Sequence, residues 1–138
     1  MGPETQSAKA IYFLKFAAFF GATFVILGAF GAHGLRDRLS AEAMAIYHTG
    51  ANYQGYHALA LFILGALGLR TSDGTWYRRA GTCFILGTLV FSGSLYLLAL
   101  TGVKWLGAIT PIGGVLFILG WAFLFLAVRD IKSFDVGR

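Results

Sequence analysis

Residues 80–100 read AGTCFILGTLVFSGSLYLLAL, a stretch without a single charged side chain. About 20 predominantly apolar residues are enough for an α-helix to cross the hydrocarbon core of a bilayer. Thr101-Gly102 closes the stretch, since glycine readily takes the left-handed conformation that ends a helix.

Three further runs of this kind flank it. The first covers 11–32, with Lys15 near its start and His33-Gly34 after it, where Gly34 is expected to serve as a left-handed cap. Its basic start could suggest a signal peptide, but the run exceeds a usual signal core, so a retained helix is expected. The second run follows a polar connector, 35–39. Ser40 is a good N-cap, and Glu42 complements the dipole of the first turn. This helix should continue to Leu69, its first turns interfacial and its span at 50–69. A polar segment, 70–79, turns at Ser72-Asp73-Gly74. After Lys104 and Trp105, Thr110-Pro111 is expected to open the last span, 110–128, because proline is tolerated in a first helical turn.

The whole-chain arithmetic agrees. Of 138 residues 57% are hydrophobic and only 12% charged, against about a quarter charged in soluble chains. The mean hydropathy is +0.71. A single core of this length could not hide that much apolar surface. A secreted disulfide scaffold, a disordered tail and a free nucleic-acid binder are therefore excluded. The expected fold is an all-α integral membrane protein, with four transmembrane helices in a compact bundle at 11–128. Short tails at 1–10 and 129–138 complete the chain. The lone Cys83 lies in an apolar span and reads as an inert buried thiol.

The net charge of +5 would suggest nucleic acid as a partner in a soluble protein. Here the basic residues stand between the spans, where they set orientation. Lys9, Lys15, Arg70, Arg78, Arg79, Arg129, Lys132 and Arg138 fall on one side, and Arg36, Arg38 and Lys104 on the other. That asymmetry places both termini in the cytoplasm, with the chain multi-pass in the cell's inner (plasma) membrane. Trp76 and Trp105 fall near opposite interfaces.

Projected at about 100° per residue, each span shows a stripe of small residues. Ala17, Gly21, Gly28 and Ala32 share one face of the first. Gly50, Gln54, His57, Gly65 and Gly68 share one face of the second, with Tyr53 at its margin. Gly81, Thr88, Ser92 and Ala99 align on the third beside Tyr96, and Thr110, Gly113 and Gly120 on the fourth. Helices in lipid gain from close van der Waals approach and interhelical hydrogen bonds. Gly21, Gly28, Gly50, Gly65, Gly81, Gly113 and Gly120 are thus expected at helix contacts, and a tight bundle accounts for them without a ligand.

The polar positions carry more. His57 lies seven residues beyond Gly50, on the order of 10 Å into the membrane at 1.5 Å per residue. An ionisable side chain at that depth is a candidate functional site by default. Tyr53 and Gln54 stand one turn away, and Thr88, Ser92 and Tyr96 could meet them across the bundle. The bland alternative is a neutral His57 that bonds a neighbour and fixes helix register. His33 reads as a helix-end hydrogen-bonding residue. His48 falls on the opposite side of its helix from His57, and no Cys or carboxylate completes a ligand set, so no metal or cofactor is expected. All six acids lie outside the spans, which argues against ion pumping. No phosphate loop, nucleophile elbow or zinc-protease motif is present, and Ser92-Gly-Ser94 lacks a base and acid to make a nucleophile.

Several strings in order carry a resemblance: Gly28-Ala-Phe-Gly-Ala-His-Gly34, Tyr53-Gln-Gly-Tyr-His57-Ala-Leu-Ala-Leu, Phe91-Ser-Gly-Ser-Leu-Tyr96, Leu106-Gly-Ala-Ile-Thr-Pro-Ile-Gly-Gly114 and Gly120-Trp121. Over about 11–128 the chain resembles the small membrane family DUF423, also termed UPF0382. That family includes bacterial inner-membrane proteins, and the animal transmembrane protein 256 is similar to it. The resemblance implies four spans and matches motif positions at His33, His57, Ser92, Tyr96, Thr110 and Pro111. It implies no reaction.

Three functions compete. A non-enzymatic helical module, packing as a homo-oligomer or within a larger membrane complex, accounts best for the small-residue faces and the missing catalytic groups. A small-molecule or lipid carrier would need Tyr53, Gln54, His57, Ser92 and Tyr96 to converge on a cavity. A metal- or haem-dependent redox enzyme would use His33 and His57.

Overall fold

The computed structural model describes residues 3–69 and 74–129. These residues are almost wholly helical and contain no strand. Helix α1 (Pro3–Phe30) runs into a π-turn at Gly31–Leu35, and α2 spans Ala41–Gly68. A third long helix comprises α3 (Thr75–Gly87), a second π-turn at Thr88–Ser92 and α4 (Gly93–Thr101). Helix α5 is Leu106–Arg129. The short connectors make sequence neighbours antiparallel. α1 packs mainly on α2, α2 on α3, α4 and the second π-turn, and α5 back on α3 and that same π-turn.

Helix boundaries follow local chemistry. The Ser40 hydroxyl accepts from the Ala43 backbone N–H at 3.1 Å, so the expected N-cap forms. Gly102 ends α4 at φ 70°, with its N–H on the Leu98 carbonyl at 2.8 Å. Among the described residues Gly102 alone has positive φ.

Two other boundaries need correction. Gly34 is not a left-handed cap; it lies inside the π-turn that widens the end of the first helix. Thr110-Pro111 does not open the last helix either. The N–H groups of Leu106, Gly107 and Ala108 bond the carbonyls of Val103, Lys104 and Trp105. These three-residue links nucleate α5 upstream, leaving Pro111 inside it. The proline forfeits one backbone bond, to the Gly107 carbonyl. The Thr110 hydroxyl meanwhile meets Ser94 Oγ at 2.8 Å and pins this turn to α4.

Three stretches are long and apolar enough to cross a membrane: Ala8–Leu35, Thr75–Thr101 and Leu106–Arg129. α2 is as long as α1, at 28 residues, but is not among them, because Asn52, Gln54, His57 and its tyrosines dilute its apolar content. It is also deeply enclosed. Twelve of its 28 residues are buried, against four of 24 in α5.

The core lies where α2 meets the others: Phe13, Ala17 and Phe20 from α1, Ala58, Leu61 and Leu64 from α2, Phe84 and Ile85 from α3, and Phe117 from α5. Glycines permit the approach. A Cβ at Gly113 would lie 2.5 Å from the Phe91 backbone nitrogen, one at Gly65 2.8 Å from Leu14, and one at Gly120 2.7 Å from Phe84. Gly81 faces the Phe13 ring, and Gly50 faces Leu95 at 3.2 Å. Gly21 and Gly28 are corrections: a Cβ at either would meet nothing within 4 Å, because in that half of α1 it is Phe20, Thr23, Phe24 and Leu27 that meet α2. Gly31, Gly55 and Gly87, outside the projected stripes, press on Tyr47, Phe24 and Phe117.

Of the expected segments, the 1–10 tail is helical from Pro3 onward, and Arg129 closes α5. Residues 130–138, and Arg70 through Asp73 of the expected turn, lie outside the described residues.

Candidate functional site

α2 presents Gln54 and His57 three residues apart, on one buried face. Their exposures are 4% and 5%, so both side chains must find partners within protein. They find them in opposite directions.

Gln54 reaches α1 and α4. Its amide nitrogen donates to the Phe20 carbonyl at 2.9 Å and to the Thr23 hydroxyl at 2.8 Å. Its carbonyl accepts from the Tyr96 hydroxyl at 2.8 Å. Both amide hydrogens are thus used. The Thr23 hydroxyl donates back along its own helix to the Phe19 carbonyl at 2.8 Å, leaving its oxygen free to accept from Gln54.

His57 reaches α5. Its Nδ1 is 2.7 Å from the Tyr53 carbonyl, and its Nε2 is 3.2 Å from the Trp121 indole nitrogen. A carbonyl only accepts and an indole N–H only donates. Nδ1 therefore carries the proton, Nε2 accepts, and the ring is neutral with both nitrogens engaged. The Phe117 ring stacks on the imidazole at 3.4 Å between centroids and 8° between planes. Phe84 and Trp121 flank the same ring at 5.7 and 6.1 Å.

Other sequence-derived candidates stand around this seam with different roles. Tyr53 supplies its backbone carbonyl to His57, while its half-exposed ring packs on Phe91 at 4.6 Å. The Thr88 hydroxyl bonds back to the Phe84 carbonyl at 2.8 Å and crosses to no other helix. Ser92 is 1% exposed, and its hydroxyl has no partner among the described residues. It ends the second π-turn, where its own carbonyl lies against Gly50. Single π-turns inside α-helices recur at functional positions. Ser94 Oγ, 3.0 Å from the Phe91 carbonyl of that turn, links it to Thr110.

His33 sits exposed on the first π-turn and makes no hydrogen bond with the described residues; His48 is exposed on α2. Neither approaches His57. No three His, Cys, Asp or Glu side chains converge among the described residues. The arrangement can hold helices at fixed register and exclude water; it offers no nucleophile with a base beside it.

Thr23, Phe117 and Trp121 were not singled out as site residues from sequence. Thr23 is the one threonine of the first apolar run, and Trp121 is an indole donor within the last. A donor at membrane depth needs an acceptor, and that is the signal that could have paired Trp121 with His57.

The profile of the family described as "Protein of unknown function (DUF423)" matches residues 27–114. Among curated relatives, a UPF0382 membrane protein of Staphylococcus epidermidis is 54% identical over 101 residues, 72% of this chain and 80% of the relative. The UPF0382 membrane protein YwdK of Bacillus subtilis is 45% identical over 73% of this chain and 82% of its own length. The UPF0382 inner membrane protein YgdD of Escherichia coli K12 is 40% identical over 127 residues, 92% of this chain and 96% of the relative. No solved structure matches the chain. With relatives named as membrane and inner membrane proteins, and apolar helices long enough to cross, the chain lies in the inner (plasma) membrane. It belongs to the DUF423 family, the UPF0382 membrane proteins.

Proposed function

We propose that this chain is a four-span, non-enzymatic membrane module whose polar interior holds its helices in register and whose outer surface packs laterally, on a second copy or within a larger membrane complex. In this reading α2 is the fourth span. At 28 residues it is on the order of 42 Å long, enough to cross. Its polar side chains are tolerated because protein surrounds them. Both termini and the 69–74 connector lie on the basic, cytoplasmic side, and the 36–40 and 102–105 connectors on the other.

The observation that carries the proposal is a contrast between the two faces of α2. Inward, Gln54 and His57 are fully partnered. Outward, Thr49, Asn52, Tyr56, Leu59 and Ile63 recur at three- and four-residue steps, all exposed, with Tyr56 at 61%. Lipid tails cannot hydrogen-bond an asparagine amide or a tyrosine hydroxyl, and such groups draw helices together.

The test is thiol cross-linking at Asn52→Cys in a Cys83→Ser background, in native membranes. Adducts of dimer mass or heavier are expected. A chain that yields only monomer there contradicts the proposal. A second reading, a small-molecule or lipid carrier, is favoured by the buried, unpartnered Ser92 hydroxyl. It requires a molecule in native mass spectra of the wild type that is absent from Ser92→Ala.

A further inference from the structure

The first two turns of α3 carry an unusual stripe. Thr75, Arg78, Arg79, Thr82 and Cys83 stand at positions i, i+3, i+4, i+7 and i+8, the spacing of one helix face. It is the polar face of the helix, opposite the buried Tyr77, Ala80, Gly81 and Phe84. Here it lines an open groove of about 550 Å³ against α5, closed on the far side by Phe123. No acid is among the described residues that line it. At its mouth the Arg79 guanidinium lies 5.1 Å from the Trp76 ring centroid and 5.9 Å from that of Phe123. Those rings stack on each other at 5.6 Å. The cation is thus held over an aromatic shelf.

The groove is graded. Thr75 and the guanidinium groups stand toward the start of α3, level with the Trp76–Phe123 stack, and Thr82 and Cys83 follow about one turn further along the helix. Trp76 marks the level of the interface, as tryptophan does at membrane boundaries. A cation over aromatic rings, at the end of two helices apolar enough to span, matches one class of ligand, a phosphodiester headgroup with acyl chains attached. Guanidinium forks suit phosphate oxygens, and basic pockets between membrane helices on the cytoplasmic side bind anionic headgroups.

We infer that the α3–α5 groove is a binding site for the headgroup phosphate of an anionic phospholipid, with Arg79 on the phosphate, Thr75 and Thr82 as hydroxyl donors, and Phe123 beside the acyl chains. The inference rests on the proposed topology for its choice of leaflet, but not on lateral association or on the role of His57.

The test uses the full chain in nanodiscs of phosphatidylcholine alone or with phosphatidylglycerol, which present the same lipid to both ends and so do not depend on topology. Native mass spectrometry after detergent release counts retained lipids, and thermal unfolding reads the stabilisation. The wild type should retain phosphatidylglycerol over phosphatidylcholine by about fivefold, the worth of one surface arginine. Arg79→Gln should lose about fivefold of that preference, and Arg79→Lys should keep part of it. Arg36→Gln, at the other end of the bundle, should leave it unchanged.

Equal retention of the two lipids overturns the site. So does an Arg36→Gln loss as large as that of Arg79→Gln, since net charge alone would then suffice. Stabilisation of the detergent-solubilised chain by millimolar inorganic phosphate, equal to that by phosphatidylglycerol, would also overturn it in favour of a soluble anion. Arg79 is exposed, so its variants should fold. If cross-linking at residue 52 fails while the lipid preference stands, lateral association is wrong and the groove assignment survives.

Discussion

Helices α2 and α5 invert the usual rule of a soluble protein. α5 is the most apolar of the three spanning stretches, and only 17% of its most apolar window is buried. Several of its large apolar side chains face outward, Phe125 at 72% exposure and Ile118 at 69%. α2 has the lower apolar content and the larger buried share, and it buries the amide of Gln54 and the imidazole of His57. The solvent explains the difference. Lipid accepts a bare phenylalanine at no cost but cannot serve an amide, so the polar helix is wrapped and the apolar ones do the wrapping. Burial in this chain therefore reports need for hydrogen-bond partners as much as hydrophobicity.

That contrast can be broken most severely at the contact between the outer and inner layers. Gly113→Leu on α5 would drive a side chain into the Phe91 backbone, where even a Cβ would stand 2.5 Å from nitrogen. Backbone cannot yield as a side-chain tip does, so we expect a loss of more than about 3 kcal/mol. Size-exclusion chromatography of the variant should show aggregate in place of a monodisperse peak.

Next in size is Gln54→Leu. It removes three hydrogen bonds at once and leaves the hydroxyl of half-buried Tyr96 without its acceptor. The expected destabilisation is about 2–3 kcal/mol, from bonds averaging roughly 0.6 kcal/mol in membranes plus an orphaned group. Reversible unfolding in mixed micelles measures it. Trp121→Phe keeps an aromatic ring, though a smaller one, and removes the donor to His57 Nε2. About 1 kcal/mol should be lost, with oligomeric mass unchanged.

The smallest effects belong to the lipid-facing side. Phe125→Leu on α5 should stay within about 0.5 kcal/mol of the wild type. Gly21→Ala should be neutral or slightly stabilising, by up to about 1 kcal/mol, because its Cβ meets nothing and alanine is the better helix former. A large loss at either position would mean that protein, not lipid, covers that surface.

Much of this architecture was legible in the sequence. Uncharged runs announce helices in lipid, Ser40 and Gly102 announce their ends, and the spacing of Gly50, Gln54, His57 and Gly65 marks the buried face of α2. What escaped depended on geometry beyond one helix. Gly34 and Pro111 are strong local punctuation, yet a π-turn absorbs the first and upstream nucleation of α5 overrides the second. Gly21 and Gly28 keep perfect helical spacing, but where a stripe meets its neighbour depends on how two helices cross. The seam itself was half legible: Gln54, His57 and Tyr96 stood out as polar groups at depth, whereas Trp121 and Phe117 look like ordinary lipid-facing aromatics until α5 is docked.

The central claim is that the polar interior of α2 is spent on holding helices together. A double-mutant cycle on Gln54→Leu and Tyr96→Phe, read by reversible unfolding of the full chain, tests it most directly. If the two side chains hold each other across α2 and α4, the double variant loses less than the sum of the single losses, by about 0.6–1.7 kcal/mol. Strict additivity would contradict the account, because Gln54 and Tyr96 would then be independent groups lining a site rather than one clasp closing it.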